Sequence, residues 1–263
     1  MQEFLEIQDF SENNSTELFA HHNVQYTAAK FHCLNINEPV NDEIVNGMMS
    51  NLQARDTLKF DKYQDHKKSH FFNSYFMKKL LNRKDKKYQI KDDKYTYLNV
   101  RRWTNKFNPF EYKCLYFPIH SPGHWTLAVI YIDDLVISYY DSMGGSGTYY
   151  VEYLLHWLED EFIKQKIGKD GDTLNRNLWT LNNGSNIKSP QQYRLRIAIP
   201  EHINFDCGLF VIQCADFISD NLPLMTKDKR PKPTPQFYSQ ESMRRYRFKV
   251  GADIVRGELN YPI

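Results

Sequence analysis

The chain predicts an α+β fold, with a central, mostly antiparallel sheet flanked by helices. Three observations carry this prediction. The middle of the sequence, Cys114 to Tyr140, holds short apolar runs rich in β-branched and aromatic residues, with Asp133-Asp134 placed as a tight turn. Stretches on either side repeat apolar residues at helical spacing. Strands and helices that segregate in this way, rather than alternate, are the pattern of an α+β domain.

Residues 1–23 read as a polar N-terminal extension with Asn13-Asn14-Ser15-Thr16 as a loop, and residues 24–263 as a single domain. Asn41-Asp42-Glu43 stands before Ile44, Val45, Met48, Met49 and Leu52, a polar N-cap ahead of a helical stripe. A second helix is expected over Phe71 to Leu81, and the charged segment Arg83 to Lys94 as a surface loop. Cys114 to Ile119 reads as a buried strand, and Trp125 to Ile132 and Leu135 to Tyr140 as two more. Ser142 to Thr148 is a loop. Val151, Leu154, Leu155, Leu158 and Phe162 then mark a helix from Val151 to Ile167. Asp170 to Ser189 is polar and turn-rich. Leu195, Ile197 and Ile199 alternate through Tyr193 to Ile199, a strand that Pro200 ends. The run from Leu209 to Ile218 is a buried helix, Pro231 to Pro235 a linker within the domain, and Ser239 to Leu259 a closing helix.

Composition narrows the function. At 263 residues, 41% of them hydrophobic, the chain can bury a substantial core and is not a disordered segment. A net charge of +2 gives no ground for nucleic-acid binding. Lys and Arg concentrate in Lys78 to Arg102 and in Lys227 to Lys249, which read as solvated surface or as a patch for an acidic protein partner. No apolar run reaches the roughly eighteen residues of a membrane span, and the first residues show neither a basic nor an apolar leader region. Membrane binding is therefore not expected. Cys33, Cys114, Cys207 and Cys214 lack paired zinc spacing, so no metal or cofactor is expected. A monomer in a reducing compartment is the natural expectation.

The chemistry concentrates at Asn204-Phe205-Asp206-Cys207-Gly208. A thiol at the start of a helix meets the positive end of the helix dipole, which favours the nucleophilic thiolate. A base and an orienting carboxylate would complete the set. His124 opens one expected strand and Asp141 closes the next, so antiparallel pairing would bring them side by side, with the hairpin closing between Ile132 and Asp133. His120 competes as base but lies too early for that pairing. Cys214, Cys33 and Cys114 read as core.

In this company the chain resembles the SUMO proteases, the ubiquitin-like-protein-specific or sentrin-specific cysteine proteases. The resemblance rests on Asn41-Asp42-Glu43-Ile44-Val45-Asn46, Phe72-Asn73, Arg101-Arg102-Trp103-Thr104, Pro118-Ile119-His120, His124-Trp125, Tyr139-Tyr140-Asp141-Ser142-Met143-Gly144-Gly145 and Asp206-Cys207-Gly208. It implies a papain-like fold and a triad of Cys207 as nucleophile, His124 as base and Asp141 as orienter. It also implies cleavage after the Gly-Gly terminus of SUMO, for both precursor maturation and deconjugation. Trp125 matches a tryptophan over the Gly-Gly tunnel, and Asp42, Phe72 and Arg102 match positions that meet the modifier. The partner implied is SUMO or a related ubiquitin-like protein, and the location the nucleus, with the cytoplasm second.

Two departures stand out. Relatives carry Trp-Leu where this chain has Pro39-Val40, so one tunnel wall is missing or supplied elsewhere. Relatives also place an oxyanion Gln about six residues before the cysteine. Here a one-residue gap puts His202 there, Glu201 is the ungapped match, and Gln192 qualifies only if the chain between loops out; His202 is the preferred donor. These departures keep two alternatives open: a protease for ubiquitin or the neddylation modifier, and a weakly active or non-cleaving SUMO-binding module.

Overall fold

The computed structural model describes residues 17–22, 24–36, 38–63, 65–82, 95–184, 205–222 and 240–259. In chain order their elements are β1 (Glu17–His21), β2 (Val24–Thr27), α1 (Ala28–Phe31), α2 (Asp42–Lys62), β3 (His70–Phe71), α3 (Tyr75–Leu80), β4 (Cys114–Ser121), β5 (His124–Tyr131), β6 (Val136–Tyr140), α4 (Thr148–Lys164), β7 (Thr180–Asn182), α5 (Cys207–Ser219) and α6 (Gln240–Arg256).

A five-stranded sheet in the order β3-β4-β5-β6-β7 organises the molecule. Its three central strands pair antiparallel, while the short edge strands β3 and β7 pair parallel. Cys114 to Ile119 is buried at every position, because both faces of the sheet are covered. Tyr116, Trp125, Leu127 and Val129 share one core with residues of α2, α5 and α6 on one side. Leu115, Phe117, Ile119, Ala128 and Ile130 meet α3 and α4 on the other. Burying apolar surface of this kind yields roughly 25 cal/mol per Å², which fixes the strand ends that carry the site.

Local chemistry sets the helix starts. Asn41 Oδ1 accepts the Ile44 N–H at 3.0 Å, and Asp42 and Glu43 complement the dipole in the first turn of α2. The second helix begins at Tyr75 rather than Phe71. Phe71 is instead paired with Tyr116, and the Phe72 N–H continues the ladder to Tyr116 O at 2.9 Å, so sheet pairing overrides helical spacing. The next long helix begins three residues earlier than its apolar stripe, at Thr148, after Gly147. A side chain at Gly147 would run into the Tyr139 ring.

Two further expectations change. Part of the segment expected as a polar extension, Glu17–His21, is a strand: β1 pairs with β2, and His21 Nε2 meets Val255 O of α6 at 2.9 Å. The β5–β6 hairpin is shifted by two residues from the expected register, with Leu127 opposite Tyr140 and Tyr131 opposite Val136. Its turn therefore centres on Asp133 and Asp134, and Leu135 takes up the left-handed conformation at φ 54°. The expected loop Arg83 to Lys94, strand Tyr193 to Ile199 and linker Pro231 to Pro235 lie outside the described residues.

Candidate active site

Cys207 is the first residue of α5. The helix is held there because Leu209, Phe210, Ile212 and Cys214 are buried against the face of the sheet formed by β5. The first N–H groups of any helix lack intrahelical acceptors and present a partial positive charge, so the sulfur stands where negative charge is stabilised. Gly208 permits the close approach of this helix start to its neighbours. A Cβ there would fall 2.9 Å from Val40 Cβ and 3.3 Å from Trp125 Cδ1. Cys207 keeps 6% of its surface exposed. Burial pushes the Cys33 and Cys114 thiols up to about 12, which leaves them inert as nucleophiles.

His124 begins β5, and its Nε2 lies 2.8 Å from Asp141 Oδ1. Asp141 follows β6 by one residue, so the two meet diagonally rather than as a direct cross-strand pair. The even shift in register keeps side chains on the same faces, and diagonal neighbours stay within reach. The loop after Asp141 wraps its carboxylate. Met143 N–H donates to Oδ1 at 2.7 Å and Gly145 N–H to Oδ2 at 3.0 Å. A side chain on Gly145 would press its Cβ to 2.5 Å from Oδ2. The Ser-Met-Gly-Gly sequence thus builds a cradle.

Burial works to lower the His124 pKa, but hydrogen bonding and charge from Asp141 and Cys207 outweigh it and raise the imidazole to about 9. Burial likewise works to raise Asp141, yet His124 and the Met143 and Gly145 N–H groups hold its carboxyl below the usual range. Nδ1 of His124 is buried without a fully formed hydrogen bond. With Nε2 given to Asp141, Nδ1 is the ring atom left to exchange a proton with the Cys207 sulfur. The structure brings the Cys207 thiol, the His124 imidazole and the Asp141 carboxylate together, an arrangement that can act as nucleophile, base and orienter.

The expected oxyanion donor His202, with Glu201 and Gln192, lies outside the described residues. Of the expected modifier contacts, Asp42 and Arg102 reach the surface, whereas Phe72 does not. Phe72 is 2% exposed, packed against Phe76, Phe117 and Trp157, because the segment enters the core beside β4. Tyr75, 44% exposed, is the aromatic that this segment presents, and its hydroxyl donates to Asp42. Only the helix start at Tyr75 could have revealed this, since it decides which aromatic faces inward. Arg102 sits in an exposed turn pinned by the buried Glu161, which accepts from Tyr97 at 2.9 Å and Thr104 at 2.8 Å.

Trp125 is 3% exposed, bonded through Nε1 to Val40 O at 2.9 Å and stacked on His120 with centroids 4.2 Å apart. His120, the rival candidate for the base, is instead the ring lying on Trp125. Val40 is buried beside Gly208 while Pro39 is exposed. Among the described residues, no cluster of His, Cys, Asp and Glu could hold a metal ion, and no helix is long and apolar enough to cross a membrane.

Comparison with known proteins gives a consistent match. The profile described as "Ulp1 protease family, C-terminal catalytic domain" matches residues 38–254. The ubiquitin-like-specific protease ESD4 of Arabidopsis thaliana is 29% identical over 254 residues, covering 94% of this chain and 44% of that protein. Human sentrin-specific protease 2 is 34% identical over 185 residues, covering 70% of this chain and 26% of its own length. The chain thus spans less than half of these curated relatives. The Ulp1-like SUMO protease catalytic domain of Chaetomium thermophilum superposes with a TM-score of 0.70 at 18% identity, covering 99% of this chain and 91% of that one. The yeast Ulp1 protease domain solved with Smt3 gives a TM-score of 0.64 at 20% identity, covering 97% and 95% respectively. These two likenesses show the fold.

Proposed function

Because this chain belongs to the Ulp1 protease family, we propose that it is a thiol isopeptidase that cleaves after the C-terminal Gly-Gly of SUMO. The observation that carries the proposal is the contact of His124 with Asp141 at 2.8 Å beside Cys207 at the start of α5. The Cys207 sulfur attacks the carbonyl carbon of the terminal glycine and a carbon–sulfur bond forms. The lysine or peptide amine leaves with the proton that His124 gives up, and a thioester remains. Water then attacks the thioester, His124 takes its proton, and the glycine carboxylate and the thiol are released. Asp141 holds the ring tautomer and stabilises the imidazolium throughout. The likeness to proteases named for sentrin, SUMO and ubiquitin-like proteins supports this choice of modifier.

A panel of Gly-Gly vinyl sulfone probes built on SUMO, ubiquitin and the neddylation modifier tests the reading. Covalent labelling by SUMO, lost in Cys207→Ser, is the expected outcome. Labelling by another modifier alone would favour the second reading, which the exposed Pro39 at the expected tunnel wall motivates. Binding of SUMO with no thioester and no hydrolysis would make the chain a binding module. A nuclear site of action belongs to the same reading and rests on the family resemblance; exclusion of a fluorescent fusion from nuclei would remove it.

A further inference from the structure

We propose that Arg247 is a positioning residue for catalysis, fixing the nucleophile helix and the strap beside it as one unit. The inference rests on the reading of Cys207 as the nucleophile. Arg247 projects from α6 and is 3% exposed, and its hydrogen bonds go to groups outside the triad. Its Nε and Nη2 donate to Asp206 Oδ1 at 3.0 and 2.6 Å. Its Nη1 donates to Cys33 O and Asn35 O, each at 2.8 Å, and Nη2 donates again to Glu38 O at 2.8 Å. A guanidinium carries five N–H donors in a fixed fork, and all five are placed.

These acceptors occupy two functional places. Asp206 directly precedes Cys207 and makes no side-chain cap to its own helix. Its carboxylate is turned to Arg247 instead, so the backbone entering the nucleophile is tied to α6. The three carbonyls lie on the strap that leads to Pro39 and Val40, and Val40 in turn receives the Trp125 indole and packs on Gly208. One planar cation therefore sets the distance between the start of α5 and the wall opposite it. Lysine offers a single centre and three donors and cannot span these acceptors.

Arg247→Lys and Asp206→Asn test this in the full chain. The second keeps the shape and one acceptor oxygen while removing the charge and turning the other oxygen into an amide NH2, so it remains informative if the first fails to fold. Three measurements apply: kcat and KM on a fluorogenic SUMO substrate, the rate of Cys207 alkylation by iodoacetamide at neutral pH read by peptide mass, and thermal melting. We expect kcat to fall about 30-fold in Arg247→Lys with KM within about threefold, and alkylation of Cys207 to slow about tenfold. Asp206→Asn should lose part of the same effect, and the double variant should be no worse than Arg247→Lys. Parent kcat and parent alkylation rate in either folded variant would overturn the proposal, as would a rise in KM with kcat unchanged. Alkylation needs no modifier, so a wrong choice of modifier would leave this arm intact.

Discussion

His124 and Asp141 meet at 2.8 Å although the hairpin that carries them does not pair them: the last paired step sets Leu127 opposite Tyr140, and Asp141 lies one residue beyond it. The carboxylate reaches diagonally to the ring because two backbone N–H groups of its own loop hold it there. The contact raises the imidazole to about 9, together with Cys207 and against burial.

The pH dependence follows in sign. An imidazole raised above its ordinary value keeps its proton to higher pH, and His124 gives it up only as pH rises through about 9. kcat/KM should therefore show an alkaline limb near that value. Asp141→Asn removes the charge that opposes deprotonation, so the limb should move to lower pH and the rate fall by about two to four orders of magnitude. A pH–rate profile of the two proteins checks this, and an unmoved limb would contradict it.

Gly208→Ala inserts a methyl 2.9 Å from Val40 Cβ. Overpacking of this kind costs about 1–3 kcal/mol, and here it displaces the residue next to Cys207. Thermal melting and kcat should fall together. Val40→Ala in the same chain should not restore them, because the clash is with Cβ itself, whereas Val40→Gly should restore part.

Tyr75→Phe removes the hydroxyl that donates to Asp42 at the exposed end of α3. Burial tends to raise Asp42, and the Tyr75 bond leads the effects that hold its carboxyl below the usual value. If this surface meets the modifier, KM should rise about 3- to 10-fold with kcat unchanged, in line with a hydrogen bond worth about 1 kcal/mol. Steady-state kinetics decide; a fall in kcat alone would remove Tyr75 and Asp42 from the binding surface.

His70 packs against Phe72, Phe107 and Tyr112, and burial drives its imidazole down to about 4. The unfolded chain takes up this proton as pH falls through its ordinary value of 6.5, whereas the folded chain resists until about 4. Stability should thus drop across that window, by up to about 3 kcal/mol. His70→Phe should flatten this part of the curve of unfolding free energy against pH, as measured by urea titration.

Much of the site is legible from residues alone. Cys207 before an apolar helix, His124 opening a strand and Asp141 closing the next are local patterns, and all three converge. Asn41 announces the start of α2 because a side-chain oxygen three residues ahead of an orphan N–H is a local relationship. The register of the β5–β6 hairpin is less legible. A turn centred between Ile132 and Asp133 and one centred between Asp133 and Asp134 differ by two in register, and both give the same alternation of faces. Phe72 and Tyr75 show the same limit: both are aromatic, and only the pairing of Phe71 with Tyr116 decides that the first turns inward.

The residue types and their order singled out Cys207, His124 and Asp141 and determined most of the helices and strands, because periodicity, caps and turns act over a few neighbours. Tertiary structure alone decided the diagonal His124–Asp141 contact, the inward Phe72 and the five bonds of Arg247, which bridge separations of 41 to 214 residues. Such bonds form only once distant elements have packed and shut out water, and no local pattern in the chain encodes which acceptors a buried guanidinium will find.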